Sequence, residues 1–353
     1  MKVLIVGAGP TGLTLAVELA RRNIFARIID KRDSASTLSR AVGITSKSLE
    51  LLSHSGVSKR LIEEGVPIQN ACIYQDSHLA LTLPLHSSTS YFPTILGLPQ
   101  DRTETILAES LASMDVEVEY KLALNELHEE AQSVIAQLSS GEESSFDLII
   151  GADGVRSAVR QDANIPYPGF DLNEDWSIAD VELDDWPHPQ MFTLTQTKPG
   201  IVAVSVPIGK NRYRFVGNCE KVLEVFPLPL RIHKVRREGV FKISIRQAQS
   251  YSKGRIHLAG DAAHCHSPVG GRGMNLGIAD AAELAKCIAE GQLDNYSSLR
   301  RREDKKVIDI TERGRKIVTS QSFLTRLEFS VLLAAANHLP FVKRRLSRFV
   351  VEF

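Results

Sequence analysis

This 353-residue chain is predicted to be an α/β protein. Its expected parts are a Rossmann-like nucleotide-binding core, an inserted β-sheet domain and C-terminal helices. Three observations predict this. A strand, a glycine turn and a helix open the chain. A second glycine-rich loop between strand and helix stands 254 positions on, Gly7 to Asp261. The residues between are largely β in texture, so if both loops build one site, the β segments are insertions into it. The length also exceeds what one hydrophobic core usually serves.

Taken in order, Lys2-Val3-Leu4-Ile5-Val6 reads as a buried strand, followed at once by Gly7-Ala8-Gly9-Pro10-Thr11-Gly12 and a helix over 13–22. Gly7 permits the tight turn, Gly9 lets the backbone approach a pyrophosphate, and Gly12 lets helix and strand pack closely. A strand over 26–29 ends at Asp30, eighteen residues after Gly12, where an acid can bind a ribose 2′-hydroxyl. A polar stretch over 31–37 precedes Arg40. A helix capped by Thr45 or Ser46 is expected to run through Leu49, Leu51 and Leu52 to Gly56. Short β pieces with prolines fill 66–93. Gln100 then opens a helix carrying Ile106, Leu107 and Leu111. Strands are expected over 116–120, 134–138 and 146–150, with Ser139-Ser140-Gly141 as the turn between the last two.

The stretch from Asp147 to Ser157 reads as a buried strand entering a turn. Gly151 and Gly154 allow close backbone approach there, and Asp153 and Arg156 are placed for polar contacts. The alternative is an ordinary strand–turn–helix connection with Arg156 in solvent. Strands over 176–183, 191–195, 201–206, 213–217 and 241–245, with the turn Lys198-Pro199-Gly200, predict a separate mixed or antiparallel sheet. In it Arg212 and Arg214 alternate with Tyr213 and Phe215, as substrate-lining or as half-buried sheet residues.

The strand 255–259 runs into Gly260-Asp261-Ala262-Ala263-His264. A helix follows with Ala281, Leu284, Ala285 and Ile288 on one face and Gly291 as its stop. The loop Pro268-Val269-Gly270-Gly271-Arg272-Gly273-Met274-Asn275 thus delivers a helix N-terminus, whose free N–H groups favour an anionic ligand. The tail from Leu293 is helical and charged. Within it, the apolar run 329–336 precedes Lys343, Arg344, Arg345 and Arg348. A packed C-terminal helix with a solvated basic end is preferred there to a membrane-surface helix.

Several classes are set aside. Lys plus Arg is 42 and Asp plus Glu is 42, which leaves no global reason to expect nucleic acid. Cys72, Cys219, Cys265 and Cys287 are far apart and form no CxxC pair, suiting a reducing cytosol. The first strand begins at once, so no secretory signal is expected, and no apolar run approaches the ~20 residues that span a bilayer. His264-Cys265-His266 cannot converge on one metal, so none is expected and His264 is read as a loop anchor. No nucleophile–base arrangement stands out, and no second strand–GxGxxG–helix unit is present.

GAGPTG, DLIIGADGVRSAVR and GRIHLAGDAAH…PVGGRGMNLGIADA occur in this order and together resemble one family. It is the single-component (group A) FAD-dependent aromatic hydroxylases, the para-hydroxybenzoate hydroxylase-like flavoprotein monooxygenases. The resemblance covers nearly all of residues 1–292. It implies an FAD-binding domain made of 1–65, 94–166 and 251–292, a substrate-binding β domain of 66–93 and 167–250, and a C-terminal helical segment, 293–353. Carried over by position, Gly7, Gly9, Pro10, Thr11, Gly12, Asp30 and Lys31 hold the AMP half of FAD, and Arg40 contacts the pyrophosphate. Gln100, opening Gln-x-x-x-Glu-x-x-Leu with Glu104 and Leu107, meets the flavin chain. Asp153 belongs to the motif shared by FAD and NAD(P)H, and Asp261 meets the ribityl chain. Pro268, Gly271, Gly273, Met274 and Asn275 surround the flavin ring, where a helix N-terminus stabilises negative charge on the reduced pyrimidine edge.

The implied activity is hydroxylation of a phenolic or polycyclic aromatic molecule through a flavin C4a-hydroperoxide, with NADPH or NADH as transient reductant and dioxygen as co-substrate. A dehydrogenase or reductase acting on an apolar, isoprenoid-like substrate, and a flavin-binding accessory protein without turnover, are the alternatives. A cytoplasmic protein is expected. Asp30 stands where many relatives carry Glu, and the segment from Gly217 to Phe241 is short for the family. No thioredoxin-like domain is expected after Phe353.

Overall fold

The computed structural model describes residues 1–35, 41–75, 77–85, 90–93 and 95–352. The chain runs through β1 (Val3–Val6), α1 (Pro10–Ala20) and β2 (Arg27–Asp30), then short helices Ser46–Ser53 and Val57–Glu64. It continues through β3 (Asn70–Gln75), β4 (His78–Pro84), α2 (Gln100–Ala112), β5 (Val118–Tyr120) and β6 (Leu148–Gly151). Next come β7 (Trp176–Asp184), β8 (Met191–Lys198), β9 (Ile201–Gly209), β10 (Arg212–Gly217), β11 (Arg231–Phe241) and β12 (Ile256–Leu258). Four helices finish the chain: α3 (Gly273–Glu290), α4 (Leu293–Val318), α5 (Phe323–His338) and α6 (Pro340–Glu352).

Two large sheets organise these elements. The first has the order Ser252–Lys253, β12, β6, β1, β2, β5, and every pair is parallel except the first. Its central strands β1 (VLIV) and β6 (LIIG) are buried at all four positions, as strands covered on both faces must be. Leu13, Leu15 and Leu19 of α1 and Ile278, Ala281 and Leu284 of α3 join that core. The second sheet has the order β11-β7-β10-β9-β8-β3-β4 and is antiparallel except between β8 and β3. The turn at Lys198-Pro199-Gly200 joins β8 to β9, with Gly200 at φ +84°.

Four expectations change. The strand read over 146–150 is two: Glu143–Phe146 folds back antiparallel on Val134–Leu138, while β6 enters the parallel sheet. The chain switches sheets at Asp147, whose N–H donates to Lys2 O. The piece read over 241–245 is also broken. Phe241 ends β11, and Ser244–Gln247 pairs with Gly169–Asp171 and His264–Cys265. The helix read from Thr45 to Gly56 stops at Ser53, although Thr45 caps it as expected by accepting from Ser48 N. Neither reading of 212–215 holds for its centre. Tyr213, Arg214 and Phe215 are all fully buried, because this stretch of sheet is covered on both faces. Arg214 makes two 2.6 Å contacts to the Asp180 carboxylate and donates to Ala41 O at 3.3 Å, while Phe215 stacks with Trp186 and Phe226 on the opposite face.

Candidate cofactor and substrate site

The three glycine motifs interlock through contacts that only glycine allows. At Gly7, with φ +106°, a Cβ would stand 2.4 Å from Ala152 O, so the first motif rests directly on the second. At Gly260, with φ +63°, a Cβ would stand 2.4 Å from the Thr11 hydroxyl, so the third motif rests on the first. Gly9 differs, having nothing within 4 Å of where its Cβ would be. It N-caps α1 with no side-chain cap, and Pro10 fills the first helical turn. α3 likewise starts after Arg272 without a side-chain cap. The core therefore presents two helix N-termini whose backbone donors no side chain among the described residues caps, a fitting cradle for a dinucleotide with a pyrophosphate at one end and a charge-accepting ring at the other.

Asn275 is held in place by its side chain. Its Nδ2 donates to Gly43 O at 2.8 Å and Gly271 O at 3.1 Å, and its Oδ1 accepts from Thr45 N and the Ser48 hydroxyl, each at 2.8 Å. Only its backbone remains for a ligand, alongside those of Gly273 and Met274. The turn before it is closed by Gly271 N donating to Pro268 O.

At the other end Asp30 accepts from Ala8 N at 2.8 Å and makes a multiple contact with Arg32, through its backbone N, Nε and Nη2. Burial pushes the Asp30 carboxyl up, but Arg32 and the Ala8 N–H hold it below its ordinary range. All four lone-pair positions of Asp30 are thus engaged, and a ribose hydroxyl can enter only by displacing an arm of Arg32. Arg32 also reaches Glu104, at 3.2 Å, and Gln100 Nε2 donates to the other oxygen of Glu104 at 2.9 Å. Burial raises the Glu104 carboxyl. The cation at this acid is Arg32, whereas the neighbouring Lys31 is exposed. Arg40 lies outside the described residues.

Asp153 caps the short helix Ala158–Asp162, accepting from Ala158 N at 2.7 Å and Val159 N at 3.3 Å. Its Oδ1 is buried and unpartnered, and burial raises its carboxyl. Arg156 faces solvent. The inward arginine of this motif is Arg160, unread in the sequence although it stands one helical turn on. It donates to Val155 O and Ala262 O, both at 2.8 Å, and its guanidinium lies 3.9 Å from the centre of the Tyr167 ring. Tyr167 donates in turn to the carbonyl of Asp261 at 2.9 Å, while the Asp261 residue itself is exposed on the one-turn helix Gly260–Ala262.

Two histidines of this loop behave differently. His264 is buried 2.6 Å from Asp280, whose Oδ2 also accepts from Gly260 N; Arg300 pairs with Asp280 and Asp304 at 2.7 and 2.5 Å. Burial opposes the His264 charge, but Asp304 and Asp280 raise its pKa to about 9. Ligand atoms of His264, Asp280 and Asp304 lie within 4.8 Å of one another, yet the Arg300 guanidinium already sits between the carboxylates, so the cluster is an ionic anchor for the loop. His266 holds its Nδ1 2.6 Å from Ser267 O, which fixes the proton there and makes Nε2 an acceptor. The residue is partly exposed, but Nε2 itself is sealed and unpartnered, 3.7 Å from where a Gly273 Cβ would be. Burial, then the charge on His264, push its pKa down to about 4, so it is neutral at physiological pH.

A family model described as an FAD binding domain matches residues 1–225 and 224–311. The chain is 30% identical over 345 residues to a rifampicin monooxygenase of Streptomyces venezuelae, an alignment covering 90% of this chain and 72% of that one. It is 34% identical over 314 residues to the pentachlorophenol 4-monooxygenase of Sphingobium chlorophenolicum, covering 81% and 58%. The chain thus spans between somewhat over half and nearly three quarters of these relatives' own lengths. Among solved structures, p-nitrophenol 4-monooxygenase PnpA from Pseudomonas putida DLL-E4 superposes with a TM-score of 0.86 at 21% identity, over 98% of this chain and 96% of that one, and so shares the fold.

Proposed function

This chain belongs to the family of FAD-dependent aromatic monooxygenases, and on that premise we propose that it is an NAD(P)H-consuming hydroxylase of a phenolic or polycyclic aromatic compound. The observation that carries this reading is the interlock of Gly7 with Ala152 and of Gly260 with Thr11, which joins the two uncapped helix N-termini in one core. Bound FAD supplies hydride acceptance from NAD(P)H and the activation of dioxygen.

The protein's own part is binding, orientation and proton placement. Gly9 leaves the backbone open for a pyrophosphate at α1, with Arg40 as its cation, Asp30 on the adenosine side and Gln100 toward the flavin chain. Asp153 closes the loop between that side and the ring, and Asp261 stands ready for ribityl hydroxyls. The N–H groups of Gly273, Met274 and Asn275 stabilise negative charge at the pyrimidine edge, beneath the turn held by Pro268 and Gly271. His266 Nε2 is an unpartnered but sealed acceptor beside this helix end, and it takes a hydrogen bond from a hydroxyl of the aromatic substrate once the turn over 268–271 yields to the ligand. Residues 66–93 and 167–250 form the substrate side, where the buried charge of Arg214 is matched by Asp180.

The test is anaerobic mixing of FAD-loaded protein with NADPH or NADH, with and without a panel of phenols and polycyclic aromatics, followed by oxygen. Ligand-accelerated bleaching of the flavin and a product heavier by one oxygen are expected. Reduction with no oxygen incorporated would make it a dehydrogenase instead, and failure to take up FAD would end the reading. His266→Phe should keep FAD affinity but lose most of the acceleration by phenols; unaltered acceleration removes His266 from the site.

A further inference from the structure

The two C-terminal helices carry a surface that the catalytic reading does not use. Both pack on the β3–β4 edge of the second sheet: Gln75 Nε2 donates to the Ser330 hydroxyl at 2.7 Å, and the Ser347 hydroxyl donates to Pro84 O. Leu333 and Ala336 of α5 point inward and are buried. The outward side of α5 holds Phe323, Leu324, Leu327 and Val331, which fall within one third of the helix circumference and are 73, 68, 49 and 60% exposed. The outward side of α6 holds Phe341, 68% exposed, with Arg344, Arg345 and Arg348 at the same helical spacing, all exposed. Both helices lie on the same sheet edge and pack on each other, so the two exposed sides belong to neighbouring elements.

The charge here is segregated. Residues 323–348 contain five cations and one carboxylate, Glu328, in a chain whose 42 basic and 42 acidic residues balance overall. A face needed only for solubility would mix both signs, and a core-facing pair of helices would bury its phenylalanines. Apolar side chains to insert, flanked by arginines with no acid in α6 before its last residue, Glu352, match an anionic bilayer surface. No helix among the described residues is long and apolar enough to cross a membrane, so the contact is peripheral. We propose that α5 and α6 form a docking surface for a membrane rich in anionic phospholipid. It extends the expected packed C-terminal helix with a solvated basic end: Leu333 and Ala336 of the apolar run are packed, and the membrane contact is made by the opposite side.

Flotation of the full chain with phosphatidylcholine vesicles, and with vesicles containing one-third phosphatidylglycerol, tests it. At about 0.1 M salt the protein should float with the anionic vesicles at least ~10-fold more than with the neutral ones, and lose them near about 1 M salt. Arg344→Glu with Arg345→Glu should abolish the preference, and Leu324→Ser with Leu327→Ser should weaken binding, each with an unchanged unfolding midpoint since the sites are exposed. Should the double reversal misfold, Arg345→Glu alone should halve the preference or more. Absence of flotation, or equal binding to both vesicles, overturns the proposal. So does a dimer that Leu324→Ser with Leu327→Ser dissociates while the wild type ignores vesicles, because a second copy then covers the face.

Discussion

The nucleotide core and the second sheet join distant segments in different ways. At the core's glycine motifs the glycine backbone itself is the contact surface, with Gly7 against the Ala152 backbone and Gly260 against the Thr11 side chain. In the second sheet, the contact toward the core is made by side chains, the fully buried Arg214 paired with Asp180 and reaching Ala41 O. Backbone contact demands one residue type at one position and leaves a signature in the sequence. Side-chain contact can be made by many pairs and leaves little. The first kind of region tolerates almost no substitution, whereas the second tolerates exchange of both partners together.

The largest effect should separate two glycines of one motif. Gly7→Val forces a branched side chain into φ +106° and onto Ala152 O, which should cost at least ~3 kcal/mol and give colourless or insoluble protein. Gly9→Ala meets open space and a β-region backbone, so stability should stay within ~0.5 kcal/mol while FAD binding weakens. Denaturant unfolding with flavin fluorescence reads both. If Gly9→Ala unfolds as readily as Gly7→Val, the contrast fails.

Next comes the side-chain contact. Asp180→Ala leaves the Arg214 charge buried without its carboxylate and should cost about 3–5 kcal/mol, while Asp180→Leu with Arg214→Met should recover most of that loss. A double variant no better than the single one would mean that the pair itself, rather than its balance, is required.

A smaller effect is expected from pH. The raised pKa of His264 gives stability that is complete below its ordinary 6.5 and lost as pH climbs through about 9. His257 and His266, both pushed down to about 4 by burial, work the other way: below 6.5 the unfolded chain takes up protons that the native state refuses. Unfolding free energy measured across pH should therefore peak near pH 6.5, rising toward it from about 4 and falling from it to about 9. His264→Gln should flatten the alkaline limb only, and a wild-type stability still rising between pH 7 and 9 would contradict the geometry of the cluster.

The smallest contrast lies between neighbours. Arg32→Ala, with its partly exposed pair to Asp30 removed, should cost ~1 kcal/mol or less and shift FAD affinity; Lys31→Ala should change neither measurably. Isothermal titration with FAD separates the two, and equal effects would restore Lys31 as the cation of this site.

How far the sequence could be read follows the same division. The strand–turn–helix at Gly7, the cap at Thr45, the α2 core of Ile106, Leu107 and Leu111, and the stop at Gly291 were legible because each depends on a local rule. Arg32, Arg160 and Asp280 were not. Arg160 and Asp280 gain their roles from partners outside their own elements, and although Asp30 is only two residues from Arg32, charge in a sequence carries no sign of which side chain turns inward. The strand β11 was invisible for a related reason. As an edge strand exposed along most of its length, it reads Arg-Ile-His-Lys-Val-Arg-Arg, with charge that blunts an open edge instead of the alternation that marks a half-buried one. The outward face of α5 escaped because an apolar run reads alike whether its residues point in or out.

The placement of the partners of β1 also sets a clock. β2 is made within thirty residues of it, but β6 follows about 145 residues later, and Gly260 and Gly277, which both close on Thr11, follow about 250 residues later. At roughly 5–20 residues per second, the first motif waits on the order of ten to fifty seconds for its last partner to be synthesised. Until β6 emerges, on the order of seven to thirty seconds at the same rate, one edge of β1 is an unpaired apolar strand. The opening motif is thus first in the gene and last to be completed, and a ribosome that pauses before β6 prolongs the period in which the nascent chain is most prone to pair with the wrong strand.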